Sequence, residues 1–208
     1  SNDPVLVCDN VDNLTLSGLG ITGAGIGSDD SFSGLVRFTA CTNLAIDACR
    51  ITEGRGNGIF AGQCSGRIAN STLSGFGLTA LFATGSTGLT ITGNTVSDCG
   101  NSGIRVFRSE AGDDGTIVTE NHIANIRSGS GNGQNGNGIN VFRANGVILA
   151  DNVLPAVDSP AVRPTTPADT TVRATARPDR RECAPCSQFA LPGSIIADPV
   201  LHRPRAST

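Results

Sequence analysis

One short phrase keeps returning along this chain. It reads Gly88-Leu-Thr-Ile-Thr-Gly-Asn94-Thr-Val96, then Gly115-Thr-Ile-Val-Thr-Glu-Asn121-His-Ile123, then Gly146-Val-Ile-Leu-Ala-Asp-Asn152-Val-Leu154. Worn copies stand at Asn43-Leu-Ala-Ile-Asp-Ala-Cys49-Arg-Ile51 and Gly193-Ser-Ile-Ile-Ala-Asp-Pro199-Val-Leu201. After most copies comes a second phrase, a glycine leading a short apolar strand: Gly58-Ile-Phe60, Gly77-Leu78, Gly103-Ile-Arg-Val-Phe107 and Gly138-Ile-Asn-Val-Phe142. A unit this short cannot bury its apolar face alone and must stack on its neighbours. The repeat therefore dictates a coiled parallel β-solenoid, and it leaves the chemistry almost unspecified.

Within the units, Leu14-Thr-Leu16, Leu44-Ala-Ile46, Leu89-Thr-Ile91 and Ile117-Val-Thr119 alternate with period two, which is the strand signal. Two strands per repeat, plus turns, predict a circuit of roughly 20 to 30 residues. Circuits ~4.8 Å apart place equivalent residues above one another. Asn94, Asn121 and Asn152 are then expected to stack amide on amide as a ladder, with Cys49 in that position one coil earlier. Three insertions interrupt the spacing, at residues 17–34, 108–115 and 127–138, and loops on a rigid scaffold are where binding residues concentrate.

At 208 residues the chain is long enough for one well-buried domain. No run approaches the ~18 apolar residues that a spanning helix needs. The chain has no Met and no apolar leader, which reads as a mature or truncated piece with any export signal upstream. It also lacks Lys and Tyr, so every basic side chain except two His is Arg. A net charge of −3 and eight Phe as the only aromatics argue against a nucleic-acid partner. Seven cysteines show no framework spacing, and those inside the repeats read as core thiols. Cys183-Ala-Pro-Cys186 has metal or redox spacing but no second ligand pair, so no metal and no cofactor is expected.

Composition changes near residue 155. Residues 1–154 hold every Asn and read as regular coils, whereas residues 155–208 hold 9 of the 10 Pro and one Gly. The register nonetheless continues, because Ser159–Arg163 falls where Asn101–Arg105 falls. Pro removes ladder donors. Residues 155–208 are read as a degenerate continuation of the same solenoid, eroded and poorly ordered, or as a corrupted stretch.

The phrases Gly75-Phe-Gly-Leu-Thr-Ala-Leu-Phe82 and Asn135-Gly-Asn-Gly-Ile-Asn-Val-Phe-Arg-Ala-Asn-Gly146 resemble those of the right-handed parallel β-helix proteins, the pectin-lyase-like superfamily. More narrowly, they resemble a family of twin-arginine-translocated repeat proteins of uncharacterised function. The resemblance implies an all-β, single-stranded right-handed parallel β-helix of about six to eight short coils with an irregular C-terminal end. It implies export in folded form to the periplasm or beyond. It also implies kinship of fold with polysaccharide lyases, hydrolases and epimerases, which is weak evidence for activity. Of the hydrolase motifs only two Asp-Asp pairs occur, and the epimerase signature is absent.

Strand alternation sends Arg105, Asn140 and Arg163 outward, one place after an inward apolar anchor, with Arg108 and Arg143 just past Phe107 and Phe142. Guanidinium forks bind carboxylates bidentately, so this basic stripe suits an acidic polysaccharide. Arg105, Arg108, Asn140 and Arg143 are the substrate-binding candidates. The alternative is exposed Arg serving solubility only. Glu110, Asp113 and Asp114 beside Arg108, and Asp29 with Asp30, are the carboxylates available for acid and base work, and His122 is a further weak catalytic candidate. Adjacent Asp in a Gly-flanked loop is far more often a turn former. No catalytic set is complete. The sequence thus supports a carbohydrate-binding scaffold first, a polysaccharide lyase or glycoside hydrolase second, and a purely structural envelope protein third.

Overall fold

The computed structural model describes residues 3–26, 30, 32–129, 136–158, 161–165, 170–173 and 195–197. Asp29, the Cys183 and Cys186 pair, and His202 lie outside the described residues. The chain winds into a parallel β-helix with three sheets. A seven-stranded sheet takes β1 (Leu6–Asp9), β4 (Gly34–Thr39), β7 (Asn57–Gly62), β10 (Thr79–Thr84), β13 (Ser102–Asp113), β16 (Asn137–Asn145) and β18 (Val162–Thr165) in that order. An eight-stranded sheet takes β2 (Thr15–Ser17), β5 (Leu44–Asp47), β8 (Gly66–Ala69), β11 (Leu89–Thr92), β14 (Ile117–Thr119), β17 (Val147–Ala150), β19 (Thr170–Arg173) and β20 (Ile195–Ala197). The third sheet holds β3 (Gly20–Ile26), β6 (Arg50–Gly54), β9 (Thr72–Phe76), β12 (Thr95–Cys99) and β15 (His122–Ile126). Among the described residues no helix is long and apolar enough to cross a membrane.

The sequence expectation of two strands per circuit is corrected to three. The recurring phrase contains two strands split by a corner, so Leu89–Thr92 and Thr95–Cys99 belong to different sheets. One residue per circuit makes that corner in the left-handed region: Gly18, Ala48, Asn70, Gly93, Glu120 and Asp151, with φ between 49° and 66°. Four of the six carry a side chain there, a conformation costing ~1–2 kcal/mol. In the five circuits after the first, the residue that follows the corner, Cys49, Ser71, Asn94, Asn121 or Asn152, turns its side chain inward.

That following residue builds the ladder. The Asn94 backbone N–H and Nδ2 both donate to Asn121 Oδ1 at 3.0 Å. Asn121 repeats the pattern on Asn152 Oδ1 at 3.1 and 2.9 Å. Each Nδ2 also reaches a strand carbonyl of the previous circuit: Ile68 for Asn94, Ile91 for Asn121 and Val118 for Asn152. The expected place of Cys49 needs one correction. Ser71 precedes Asn94, donating its N–H to Asn94 Oδ1, and Cys49 stands two circuits before Asn94, donating its N–H to Ser71 Oγ. The intervening unit, Gly66-Arg-Ile-Ala-Asn-Ser71-Thr-Leu73, carries Ser where other copies carry Asn, which hid it as a repeat.

Rows of like side chains fill the interior. Ile46, Ile68, Ile91, Val118 and Leu149 stack in the eight-stranded sheet, and Val36, Ile59, Leu81, Ile104, Ile139 and Val162 in the seven-stranded one. Ile51, Leu73, Val96 and Ile123 form the third row. All are at most 3% exposed, and each such burial contributes about 1.5–3 kcal/mol. Successive anchors Val36, Ile59, Leu81 and Ile104 lie 23, 22 and 23 residues apart. The step from Ile104 to Ile139 is 35 residues, because two insertions fall within that one circuit. Where turns approach most closely only glycine fits: a Cβ on Gly77 would lie 1.9 Å from the Arg55 carbonyl oxygen.

Past residue 155 the described segments extend the sheets. Val162 pairs with Ile139, and Thr171 bridges Ile148 to Ile195. Cys41, Cys49, Cys64 and Cys99 are buried free thiols. Burial pushes the Cys64 thiol up to about 11 and that of Cys99 to about 12, from an ordinary 9.0.

Two outcomes follow from this packing. Asn121→Ala strips the ladder at its centre and leaves several buried groups unpaired, so urea unfolding should register a loss of about 2–4 kcal/mol. His122→Ala, exposed on the same turn, should stay within about 0.5 kcal/mol. The thiols act through pH. Because unfolding returns Cys64 and Cys99 to about 9.0, their stabilising contribution is complete below that pH and fades as pH rises toward about 11 and 12. In the native chain at pH 8, both should resist a thiol reagent that labels them after denaturation.

Candidate functional site

The outer face of the seven-stranded sheet carries two columns set by strand alternation. Backbone register aligns Arg37, Phe60, Phe82, Arg105, Asn140 and Arg163 in the first. Thr39, Gly62, Thr84, Phe107 and Phe142 align in the second. The rings form a continuous file. Phe60 and Phe82 meet edge to face at 5.7 Å, Phe82 and Phe107 at 5.9 Å, and Phe107 stacks on Phe142 at 5.1 Å. Phe32, from the first insertion, lies over three of them at 5.8 to 6.5 Å from Phe60, Phe82 and Phe107. Although they point outward, Phe60 is 6% and Phe82 1% exposed, while Phe32 itself is 55% exposed.

The arginines sit on this aromatic file. The Arg105 guanidinium carbon lies 4.7 Å from the Phe82 centroid and 4.9 Å from that of Phe107. Burial lowers its pKa, and its Nε has no hydrogen-bond partner. Arg143 covers Phe142 at 5.0 Å and donates Nη1 to the Ser109 carbonyl. Cation–π contacts of this kind contribute about 0.5–2 kcal/mol. The column that the sequence presents as a basic stripe is therefore, at Arg105 and Arg143, also the cover of an apolar layer. Asn140 stands between Arg105 and Arg163, its Nδ2 donating to Asn137 Oδ1 at 3.5 Å.

Beside the file lies a cleft of about 430 Å³, lined by Thr39, Phe60, Gly62, Gln63, Thr84, Gly85, Arg108, Ser109 and Glu110. Its floor is the end of β4, β7 and β10, where Gly62 withholds a side chain from the second column. Its far wall is the second insertion: β13 leaves register with β16 between Phe107 and Gly112 and carries residues 108–111 outward. Arg108 is fixed there, donating Nη1 to the Ser86 carbonyl at 3.1 Å and lying 3.6 Å from Asp114 Oδ2. The apolar ring, hydroxyls, amide, guanidinium and carboxylate converge as they do in ligand-binding clefts.

The structure thus gathers Arg108 and Glu110 into one cleft, with Arg105 and Arg143 on the adjoining file. Asp113 is exposed and outside the cleft lining. Asp114 is 2% exposed, its Oδ1 accepting from the Thr116 N–H and hydroxyl. Burial raises its pKa, while the Thr116 hydrogen bonds and Arg108 act in the opposite sense. His122 lies on the third sheet, away from this face. Among the described residues no group of three or more His, Cys, Asp or Glu could hold a metal ion. Sequence reasoning missed Phe32, Phe60, Phe82, Gln63 and Thr84. Extending the column Arg105–Asn140–Arg163 backward by one circuit at a time would have exposed Phe82 and Phe60. Phe32 carried no repeat signal.

If Arg105 serves the aromatic layer, Arg105→Ala should lower unfolding free energy by about 1–2 kcal/mol through lost packing and cation–π contact. Chemical denaturation compared with Arg67→Ala, an exposed arginine on the eight-stranded sheet, provides the check.

Comparison with known proteins gives one result on family and two blanks. No curated protein and no solved structure matches the chain. A family model described as "right handed beta helix region" matches residues 8–154, the stretch that holds the ladder, the aromatic file and the cleft. The chain belongs to the right-handed β-helix family.

Proposed function

We propose that this β-helix protein binds carbohydrate, an acidic polysaccharide, on the outer face of its seven-stranded sheet. The observation that carries the reading is the cleft itself: a guanidinium held in the wall faces a floor of Phe60, Thr39 and Thr84. A pyranose ring has apolar C–H faces and a polar hydroxyl rim, and a uronic acid adds a carboxylate. An aromatic edge, hydroxyls, an amide and an arginine fork match that set group by group. The exposed Phe32 ring and the Arg-capped file extend the same surface across several circuits, which suits a chain rather than a single sugar.

A second reading is favoured by one residue. Glu110 lines the cleft with Arg108, and β-elimination from a uronate needs a cation over the carboxylate and a base for the C5 proton. In that reading Glu110 takes the C5 proton, the electron pair forms the C4–C5 double bond as the C4–O bond breaks, the departing O4 takes a proton from water, and an unsaturated end is released. The resemblance noted for the repeat phrases adds the expectation that the protein works outside the cytoplasm, exported in folded form.

Isothermal titration with oligogalacturonates of increasing length, against neutral oligosaccharides, tests the binding reading. Saturable binding that prefers the acidic series is expected. Arg108→Gln should weaken it about tenfold or more, the scale of one charge-assisted hydrogen bond. New ultraviolet absorbance from unsaturated ends, lost in Glu110→Gln, would establish the lyase. Silence of the folded protein across acidic and neutral glycans would overturn both readings and leave a structural role.

A further inference from the structure

Arg108 is a long side chain on a bulged stretch of backbone, and left to itself it would sample many rotamers and lose that freedom when fixed. Something must fix it if it is to act as a preset fork in the cleft wall. The Ser86 carbonyl accepts from its Nη1 at 3.1 Å, and three further observations identify what holds the guanidinium beside that bond.

Asp114 stands behind Arg108 with its side chain 1% exposed. Its Oδ1 is occupied by the Thr116 N–H at 3.2 Å and the Thr116 hydroxyl. Its Oδ2 is buried without a hydrogen-bond partner and lies 3.6 Å from Arg108 Nη1. A carboxylate taken out of water costs several kcal/mol unless a counter-charge is near, and Arg108 is the cation beside it. Asp114 itself cannot swing away. Its N–H donates to the Asn145 carbonyl at 3.0 Å, and its carbonyl accepts from Gly88 N–H at 2.7 Å, tying it to the circuits on both sides. The third observation is Gly112, where a Cβ would lie in ordinary contact, 3.4 Å, with Arg108 Nε, so the backbone leading to Asp114 passes directly beside the guanidinium.

We propose that Asp114 is a positioning residue: it holds the Arg108 guanidinium in the cleft wall so that the fork meets an incoming carboxylate already ordered. The ligand part rests on the carbohydrate reading above; the positioning part does not. A plain charge argument predicts the opposite sign. If Asp114 acted only by screening Arg108, removing its charge would strengthen anion binding.

The test uses Asp114→Asn, which keeps the size of the side chain and an acceptor for Thr116. In protein carrying ¹⁵N-arginine, the Arg108 Nε–Hε signal is assigned by its loss in Arg108→Gln. A resolved, slowly exchanging Arg108 signal is expected in the native protein, averaged or lost in Asp114→Asn. Affinity for trigalacturonate should fall about tenfold in the same variant. An Arg108 signal unchanged by Asp114→Asn, or a rise in trigalacturonate affinity, would overturn the proposal. A change in the signal from a protein that binds no acidic glycan at all supports the positioning role and sinks the carbohydrate reading. Thr116→Val removes the hydroxyl that fixes Asp114 Oδ1 without altering any charge. By loosening Asp114 it should broaden the Arg108 signal even if Asp114→Asn fails to fold, and an unaltered Arg108 signal in folded Thr116→Val would also count against the proposal.

Discussion

Like stacks on like in this molecule, one circuit above the next, 22 or 23 residues on between Val36 and Ile104, and every other feature depends on that vertical register. Parallel backbone hydrogen bonds set the spacing, and the spacing brings Ile onto Ile and Asn onto Asn. Hydrophobic rows alone would tolerate a slip along the strand by two residues. The ladder does not, because Asn94 must meet Asn121 and Asn121 must meet Asn152 at about 3 Å, each beside a corner held at positive φ. Polar side chains buried this deeply are worth keeping only when fully paired. The first circuit shows the rule from the other side. Leu6, Leu14, Leu16 and Ile21 point inward yet remain partly exposed, since among the described residues no circuit stacks beneath them.

A solenoid built this way has regular faces, and regularity works against a binding site. Two insertions break it here. The first brings Phe32 over the aromatic file, and the second lifts Arg108, Ser109 and Glu110 into a wall. They enter the helix at different corners and three circuits apart, yet converge on one face because the seven-stranded sheet carries the phenylalanines between them. The same sheet explains why outward aromatic residues end up buried. Rings at 5.1 to 5.9 Å cover one another, and the guanidinium groups of Arg105 and Arg143 sit over what is left.

Much of the architecture was legible in residues alone. The thrice-repeated phrase ending in Asn predicted parallel coils and an amide ladder, and both are present. The reading failed where a repeat was worn. Ser71 in place of Asn concealed a whole unit and displaced Cys49 by one circuit. It also counted two strands where there are three, because it read the phrase as one strand, although the inward positions shift from Leu89 and Ile91 to Asn94 and Val96 across the corner at Gly93. For the site, alternation placed Arg105 and Asn140 outward, and proximity in sequence linked Arg108 to the acidic loop. It could not tell which carboxylate would face water.

By itself, then, the sequence determined the winding, the ladder and the columns of each face, since these follow from periodicity and need only neighbouring circuits. Tertiary structure alone decided that Phe32 roofs Phe82, that Glu110 reaches the cleft while Asp114 is buried, and that Arg105 packs against two rings. Those outcomes depend on where insertions of irregular length return to the sheet, and no periodic signal encodes the path of a loop through space.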